Sequence, residues 1–438
     1  EFGDFQQLTA VVLPTGQKIR FSYDPAGRQK TIHYPNGITG RFDYDGSGLI
    51  KGVHYENSEG DVVYGNTYRL DAAGNIVETR NARGDRIQYA YDPSGQLVEE
   101  SGTHSRLRYR YGPDGNRIEM QSGKITTRYR HNAAGQMTRA GTETLAYDAN
   151  GNLISRQGAG DWRYTYDTGN QLIKATGSEG IEVRYGYDPT GNRVWREDMK
   201  GRNWFLHDGL DLVQMLDADL KTEVTYIHAP GIDRPVAMLR DGKPYYYHID
   251  HLASVRRLTD EHAKVVAAYD YDAFGNRKIL KEYIENPFAY TCRELDAVTG
   301  LYYFRARYYD PKLGRFISTD PVPSGLENAI GHNPYLYALN NPLRFTDPLG
   351  LNTAERWPFL RNAYSPERIS RWGNDILRFE YLKAKAIISG KLPVEKQVSP
   401  QYLNKVAQNL KNMEQVMRQR GILSTVKPTT TQPIPRSA

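Results

Sequence analysis

Apolar and polar positions alternate with a period of two over short runs along most of the chain. Arg108-Tyr109-Arg110-Tyr111 and Arg184-Tyr185-Gly186-Tyr187 are examples. Such alternation sets tyrosines on one face of a strand and polar residues on the other. Each run leads into a turn. In Asp24-Pro25-Ala26-Gly27 the Asp, Pro and Gly take the first, second and fourth places, the preferences of a type I turn. Asp92-Pro93-Ser94-Gly95 and Asp188-Pro189-Thr190-Gly191 repeat the unit, and Asp71-Ala72-Ala73-Gly74 and Asp148-Ala149-Asn150-Gly151 are looser copies. Tyr-Asp pairs head the turns at Tyr23-Asp24, Tyr44-Asp45, Tyr91-Asp92, Tyr147-Asp148, Tyr166-Asp167 and Tyr187-Asp188. Most steps are about twenty residues, the length of a hairpin with its turns. The pattern predicts a mainly β chain of antiparallel hairpins.

After Leu351 the period changes. Ser365-Pro366-Glu367 reads as a helix start, and Ile369, Trp372, Ile376, Leu377 and Phe379 follow at near-helical spacing. A second helix is expected from about 400 to 420, with Leu403, Val406, Leu410, Met413 and Met417 on one face and Gly421 as its stop. The prolines Pro428, Pro433 and Pro435 mark a flexible end.

Composition agrees with this division. The chain has 438 residues, with 33 Tyr and 40 Gly, which suits strands with two partly wet faces and many tight turns. A mean hydropathy of −0.68 is low for compact globular packing. Residues 352–438 carry 15 Lys and Arg against 6 Asp and Glu, while the remainder carries 42 against 45; the two parts present different surfaces. The single cysteine, Cys292, excludes an intramolecular disulfide and a cysteine-rich zinc site. No run of 18 apolar residues encodes a membrane-spanning helix. The sequence opens inside a repeat without signal-peptide character. It reads as a piece of a longer protein whose export signal lies outside this chain.

From Tyr245 the motifs become dense. Tyr246-Tyr247-His248-Ile249-Asp250-His251-Leu252 is followed by Tyr269-Asp270-Tyr271-Asp272-Ala273-Phe274-Gly275-Asn276, then by Thr299-Gly300-Leu301-Tyr302-Tyr303-Phe304-Arg305-Ala306-Arg307-Tyr308-Tyr309-Asp310-Pro311. Gly314-Arg315-Phe316-Ile317-Ser318-Thr319-Asp320-Pro321 comes next, and Asp347-Pro348-Leu349-Gly350-Leu351 closes the block. With the upstream repeats, this text resembles the Rhs/YD-repeat family. The block itself looks like the Rhs repeat-associated core domain and is also similar to the C component of Tc toxins. Ala253 and Cys292 stand where the family usually has Gly.

The resemblance implies a spiralling antiparallel β-hairpin shell over residues 1–244, incomplete at its start. A core domain over 245–351 curls inward as a plug, and a variable helical effector-like segment occupies 352–438. It further implies that the core cuts its own chain between Leu351 and Asn352, with Arg307, Asp320 and Asp347 as the residues involved. The chemistry suits that assignment. Two adjacent carboxylates repel, so one holds a proton while the other stays charged. The charged one draws a proton from water and the neutral one protonates the amide, and a guanidinium orients one of them and holds it ionised. The plain alternative is that Asp320 and Asp347 only cap turns before prolines.

The implied function is a polymorphic-toxin shell, secreted or at a bacterial cell surface and used between competing bacteria. It encloses its own C-terminal segment and releases it by aspartyl self-cleavage. No cofactor or metal is expected. His248 and His251 are read as wall residues, because an odd offset on a strand points them to opposite faces. The partners implied besides the cargo are a secretion-machinery component, an immunity protein or a toxin-complex subunit. The basic 352–438 segment suits nucleic acid or an anionic membrane, and no activity is assigned to it. The alternatives are a cell-surface binding or structural protein that never cuts, and a Tc C component docked on a partner subunit.

Overall fold

A computed structural model describes residues 1, 7–322 except 104, 159 and 190, then 333–351, 354–355, 411, 414–415 and 417–418. Two compact units result, Glu1–Arg361 and Asn362–Ala438. In the second unit the described positions are α-helical and Met417 is buried. The rest of the two expected helices lies outside the described residues.

The first unit is dominated by a 27-stranded antiparallel sheet. Strands pair with their neighbours in sequence, from Ala10–Val12 through Arg277–Glu282, as a continuous meander. It continues past Tyr245 through Lys243–Ile249, Val255–Thr259 and Val265–Tyr271. The repeat turns explain the regularity. The Gly27 amide donates to the Asp24 carbonyl at 2.9 Å, closing the expected type I turn. Gly27 sits at φ +75°, so the next residue returns to the ladder through a glycine bulge. Asp24 Oδ1 accepts the amides of Ala26 and Arg28 at 3.0 and 2.9 Å. The same double cap recurs at Asp71, Asp92, Asp148 and Asp272.

The tyrosines of the pairs have a second task. The hydroxyls of Tyr44, Tyr91, Tyr111, Tyr187 and Tyr271 donate to the carbonyls of Gln29, Ile76, Leu97, Leu172 and Val255, at 2.7 to 2.9 Å. Each acceptor belongs to an earlier hairpin, so the repeats are pinned to one another in series.

A second sheet of four short strands, Glu294–Leu295, Tyr302–Phe304, Arg307–Asp310 and Arg315–Phe316, forms the plug. Its centre is an aromatic cluster of Tyr290, Tyr302, Phe304, Tyr309, Phe316 and Tyr337, all buried. The plug is held by the turns of the wall. Asn341 donates to the Gly95 carbonyl, Asn340 to Gly115, Arg315 to Gly135 and the Tyr335 hydroxyl to Gly151, at 2.7 to 2.9 Å. These acceptors are successive repeat glycines, so one rim of hairpin ends converges on the plug.

Candidate functional site

The strand Arg307–Asp310 begins at the edge of the aromatic cluster, and packing fixes its first side chain. The Arg307 guanidinium carbon lies 3.7 Å from the centre of the Phe316 ring. From there Arg307 Nη2 reaches Asp320 Oδ2 at 2.8 Å and Asp347 Oδ2 at 3.0 Å. One nitrogen thus holds both carboxylates, which are no farther apart than those two distances laid end to end. Arg307 and Asp347 are fully buried, while the Asp320 side chain keeps 19% exposure. Burial pulls the Arg307 pKa below its usual value, and the charges of Asp347 and then Asp320 oppose that pull.

Asp347 belongs to Asp347-Pro348-Leu349-Gly350-Leu351, and this segment is a copy of the repeat turn. The Gly350 amide donates to the Asp347 carbonyl at 3.2 Å, Gly350 has φ +67°, and the Leu351 amide donates to Asp347 Oδ1 at 3.0 Å. One difference matters. In the wall turns the fifth residue often supplies a side-chain donor to the second carboxylate oxygen. Asn75 does so for Asp71, Gln96 for Asp92 and Asn152 for Asp148. Leu351 has no such donor, so Asp347 Oδ2 is left for Arg307. Turn capping and a polar trio are therefore both present at Asp347.

The turn is gripped from one side by three consecutive residues. Arg305 Nη1 donates to the Pro348 carbonyl, the Ala306 amide to Leu349 at 3.2 Å and Arg307 Nε to Gly350 at 2.5 Å. Arg307 Nη1 also donates to Pro334, whose carbonyl takes the Asp320 amide as well, both at 2.9 Å. A Cβ on Gly350 would lie 2.3 Å from the Phe304 carbonyl oxygen. The arrangement therefore brings together Arg307, Asp320, Asp347 and Leu351. Asn352 lies outside the described residues.

Sequence reasoning did not find Arg305. Its only signal was its place two residues before Arg307 in the Phe304-Arg305-Ala306-Arg307 text. The other candidates have ordinary settings. His248 is buried against Tyr34 and Tyr55, and its Nε2 lies 2.8 Å from the Thr259 hydroxyl. Burial lowers its pKa to about 3, so the ring stays neutral. His251 Nε2 lies 3.2 Å from the Leu343 carbonyl. Cys292 is a buried free thiol.

Comparison with known proteins places the fold. The Teneurin YD-shell family matches residues 41–343, and an RHS repeat matches residues 4–39. The chain is 33% identical to the tRNA nuclease WapA of Bacillus subtilis over 226 residues, half of this chain and 10% of that one. It is 29% identical to the double-stranded DNA deaminase toxin A of Burkholderia cenocepacia over 323 residues, 65% of this chain and 22% of that one. It is 27% identical to the probable deoxyribonuclease RhsA of Dickeya dadantii over 374 residues, 79% of this chain and 25% of that one. The chain thus spans a tenth to a quarter of these relatives. Among solved structures, the Photorhabdus luminescens Tc holotoxin pore matches with a TM-score of 0.66 at 20% identity, over 81% of this chain and 20% of that one.

Proposed function

Because this chain belongs to the Teneurin YD-shell family, we propose that it is the self-cleaving, encapsulating part of an Rhs-type polymorphic toxin. The observation that carries the reading is the single guanidinium nitrogen shared by Asp320 and Asp347 at the turn that ends in Leu351. Residues 1–244 make wall. Residues 245–351 add the last wall strands and hold the cutting site. Residues 352–438 are the cargo.

The reaction is hydrolysis of the Leu351–Asn352 peptide bond. One carboxylate takes a proton from water as its oxygen adds to the Leu351 carbonyl. The other gives a proton to the amide nitrogen of Asn352 as that bond breaks. Asp320, the partly exposed member, is the one that meets water. Arg307 balances one of the two charges throughout. The products are a carboxylate on Leu351 and a new amino terminus on Asn352. The enzyme acts once, on its own chain, and needs neither cofactor nor metal.

Relatives named as nucleases, a deaminase toxin and Toxin protein Tse5 support secretion or cell-surface display with a toxic cargo. Among the described residues no helix is long and apolar enough to cross a membrane, which is silent about strands. An immunity protein, a secretion component or a toxin-complex subunit is the partner class this reading requires. The reading is tested on denaturing gels. Wild type is expected as two pieces, while Asp320→Asn and Asp347→Asn remain whole. One whole band from all three leaves the non-cleaving surface protein as the better account.

A further inference from the structure

Arg305 occupies a setting that packing alone does not require. It has φ +58°, a region costly for a side-chain-bearing residue. Its guanidinium serves two masters. Nη1 donates to the Pro348 carbonyl of the cleavage turn, and Nη2 donates to Asp233 Oδ1 at 2.8 Å and to the Leu210 carbonyl at 3.1 Å. Asp233 lies in the wall, between the strands Thr222–His228 and Pro235–Arg240. It too is left-handed, at φ +56°. Its carboxylate is buried and takes a second guanidinium, Arg293 Nη1, at 2.5 Å. Arg293 in turn donates to the Tyr303 carbonyl of the plug sheet through Nε and Nη2, at 3.0 and 2.9 Å.

A chain of contacts therefore runs from wall to cut. It starts at Asp233, passes through Arg305 and ends on the turn carbonyl three residues before Leu351. Two strained residues face each other in the buried Asp233–Arg305 ion pair. Strain kept on both sides of a single contact marks geometry that the surrounding structure over-determines.

We propose that Asp233 and Arg305 form a positioning pair that sets the cleavage turn only when the wall segment around Asp233 has closed onto the plug, so that cutting follows closure. The inference rests on the cleavage reading above. Neither residue touches the reacting bond. The pair holds the Pro348 carbonyl so that Asp347 and Leu351 fall in register with Asp320. Before the wall segment arrives, Arg305 lacks its Asp233 counter-charge, and its fork is held to Pro348 less firmly. A misplacement of about 1 Å at such a site costs on the order of a hundredfold in rate.

The experiment is timed cell-free synthesis of the full chain, with cleavage followed on denaturing gels and the fold checked by thermal melting and limited proteolysis. Wild type, Asp347→Asn, Asp233→Asn, Arg305→Met and Arg305→Lys are compared. Wild type that never cuts defeats the parent reading and the pair together. Given a wild type that cuts and an Asp347→Asn that does not, Asp233→Asn and Arg305→Met are compared with wild type per folded molecule, since Asp233→Asn also takes the counter-charge from buried Arg293. They should cut the same bond about a hundredfold more slowly. Arg305→Lys should recover part of that rate. All three should keep the wild-type pH profile, since the pair orients and exchanges no proton. Folded Asp233→Asn and Arg305→Met cutting at the wild-type rate would overturn the proposal. A rate that merely follows the folded fraction would do the same. If Arg305→Met fails to fold, Asp233→Asn and Arg305→Lys decide on the same criteria.

Discussion

At the scale of single residues, the site is a wall turn with one side chain changed. The exchange at position 351 removes a donor from Asp347 and hands its second oxygen to Arg307. Leu351→Asn should reverse that exchange, because the wall turns at Asp71 and Asp148 use Asn at this place. We expect the variant to fold and to cut at least several-fold more slowly, as read on timed denaturing gels. Gly350→Ala should be worse. Its Cβ would press on the Phe304 carbonyl at 2.3 Å, at φ +67°, and no flexible side-chain end is there to yield; cleavage should be lost. Ala253 and Cys292, the two departures from the family's glycines, sit at φ +64° and +55°. That is where glycine is cheapest. Ala253→Gly should therefore raise stability by about 1 kcal/mol, measured by denaturant unfolding. The expectation for the acidic pair and Arg307 came from the family resemblance of the motifs that hold them. It did not extend to Arg305 or Asp233, whose partners are far apart in the chain and meet only through folding.

At the scale of elements, alternation and turn chemistry were enough to read the hairpins. The glycine bulge, the double Asp cap and the tyrosine pins explain why the repeat needs Tyr, Asp and Gly at those places. The pins themselves were not legible, because their acceptors are backbone carbonyls, which carry no sequence signal. Replacing Tyr91 with Phe removes the bond to the Ile76 carbonyl and should cost about 1 kcal/mol in unfolding free energy. A second contact ties an early strand to the motif-dense block. Glu100, on the strand Leu97–Gly102, accepts the Ala273 amide at 2.9 Å beside Asp272. Burial, and then the Asp272 charge, raise the Glu100 pKa to about 8. Burial also raises the Asp272 pKa, while the hydrogen bonds from Asn276 and then the Arg117 charge counter it. The folded chain then binds more protons than the unfolded one between the usual carboxyl range and about pH 8. Stability should fall as pH rises through that window and level off above it. Melting temperatures from pH 5 to 9 should show this fall, and Glu100→Gln should flatten it.

At the scale of the first unit, the wall and plug depend on each other. Repeat glycines of the wall accept donors from Asn341, Asn340, Arg315 and Tyr335. The plug in turn carries the trio at the Asp347–Leu351 turn. The mainly β hairpins could be expected from the repeats, whereas the shell and its inward plug were what the resemblance of the dense terminal block implied. The rim-to-plug contacts could not be expected, since each joins residues about two hundred positions apart. The proposed function requires that Asp320 and Asp347, joined by Arg307, cut the chain after Leu351. Its most direct test is N-terminal sequencing of the small fragment from purified wild-type protein, with Asp347→Asn alongside. Asn352 is expected as the first residue in wild type, with no fragment from the variant. An uncut wild-type chain, or the same fragment from both proteins, would contradict the proposed function.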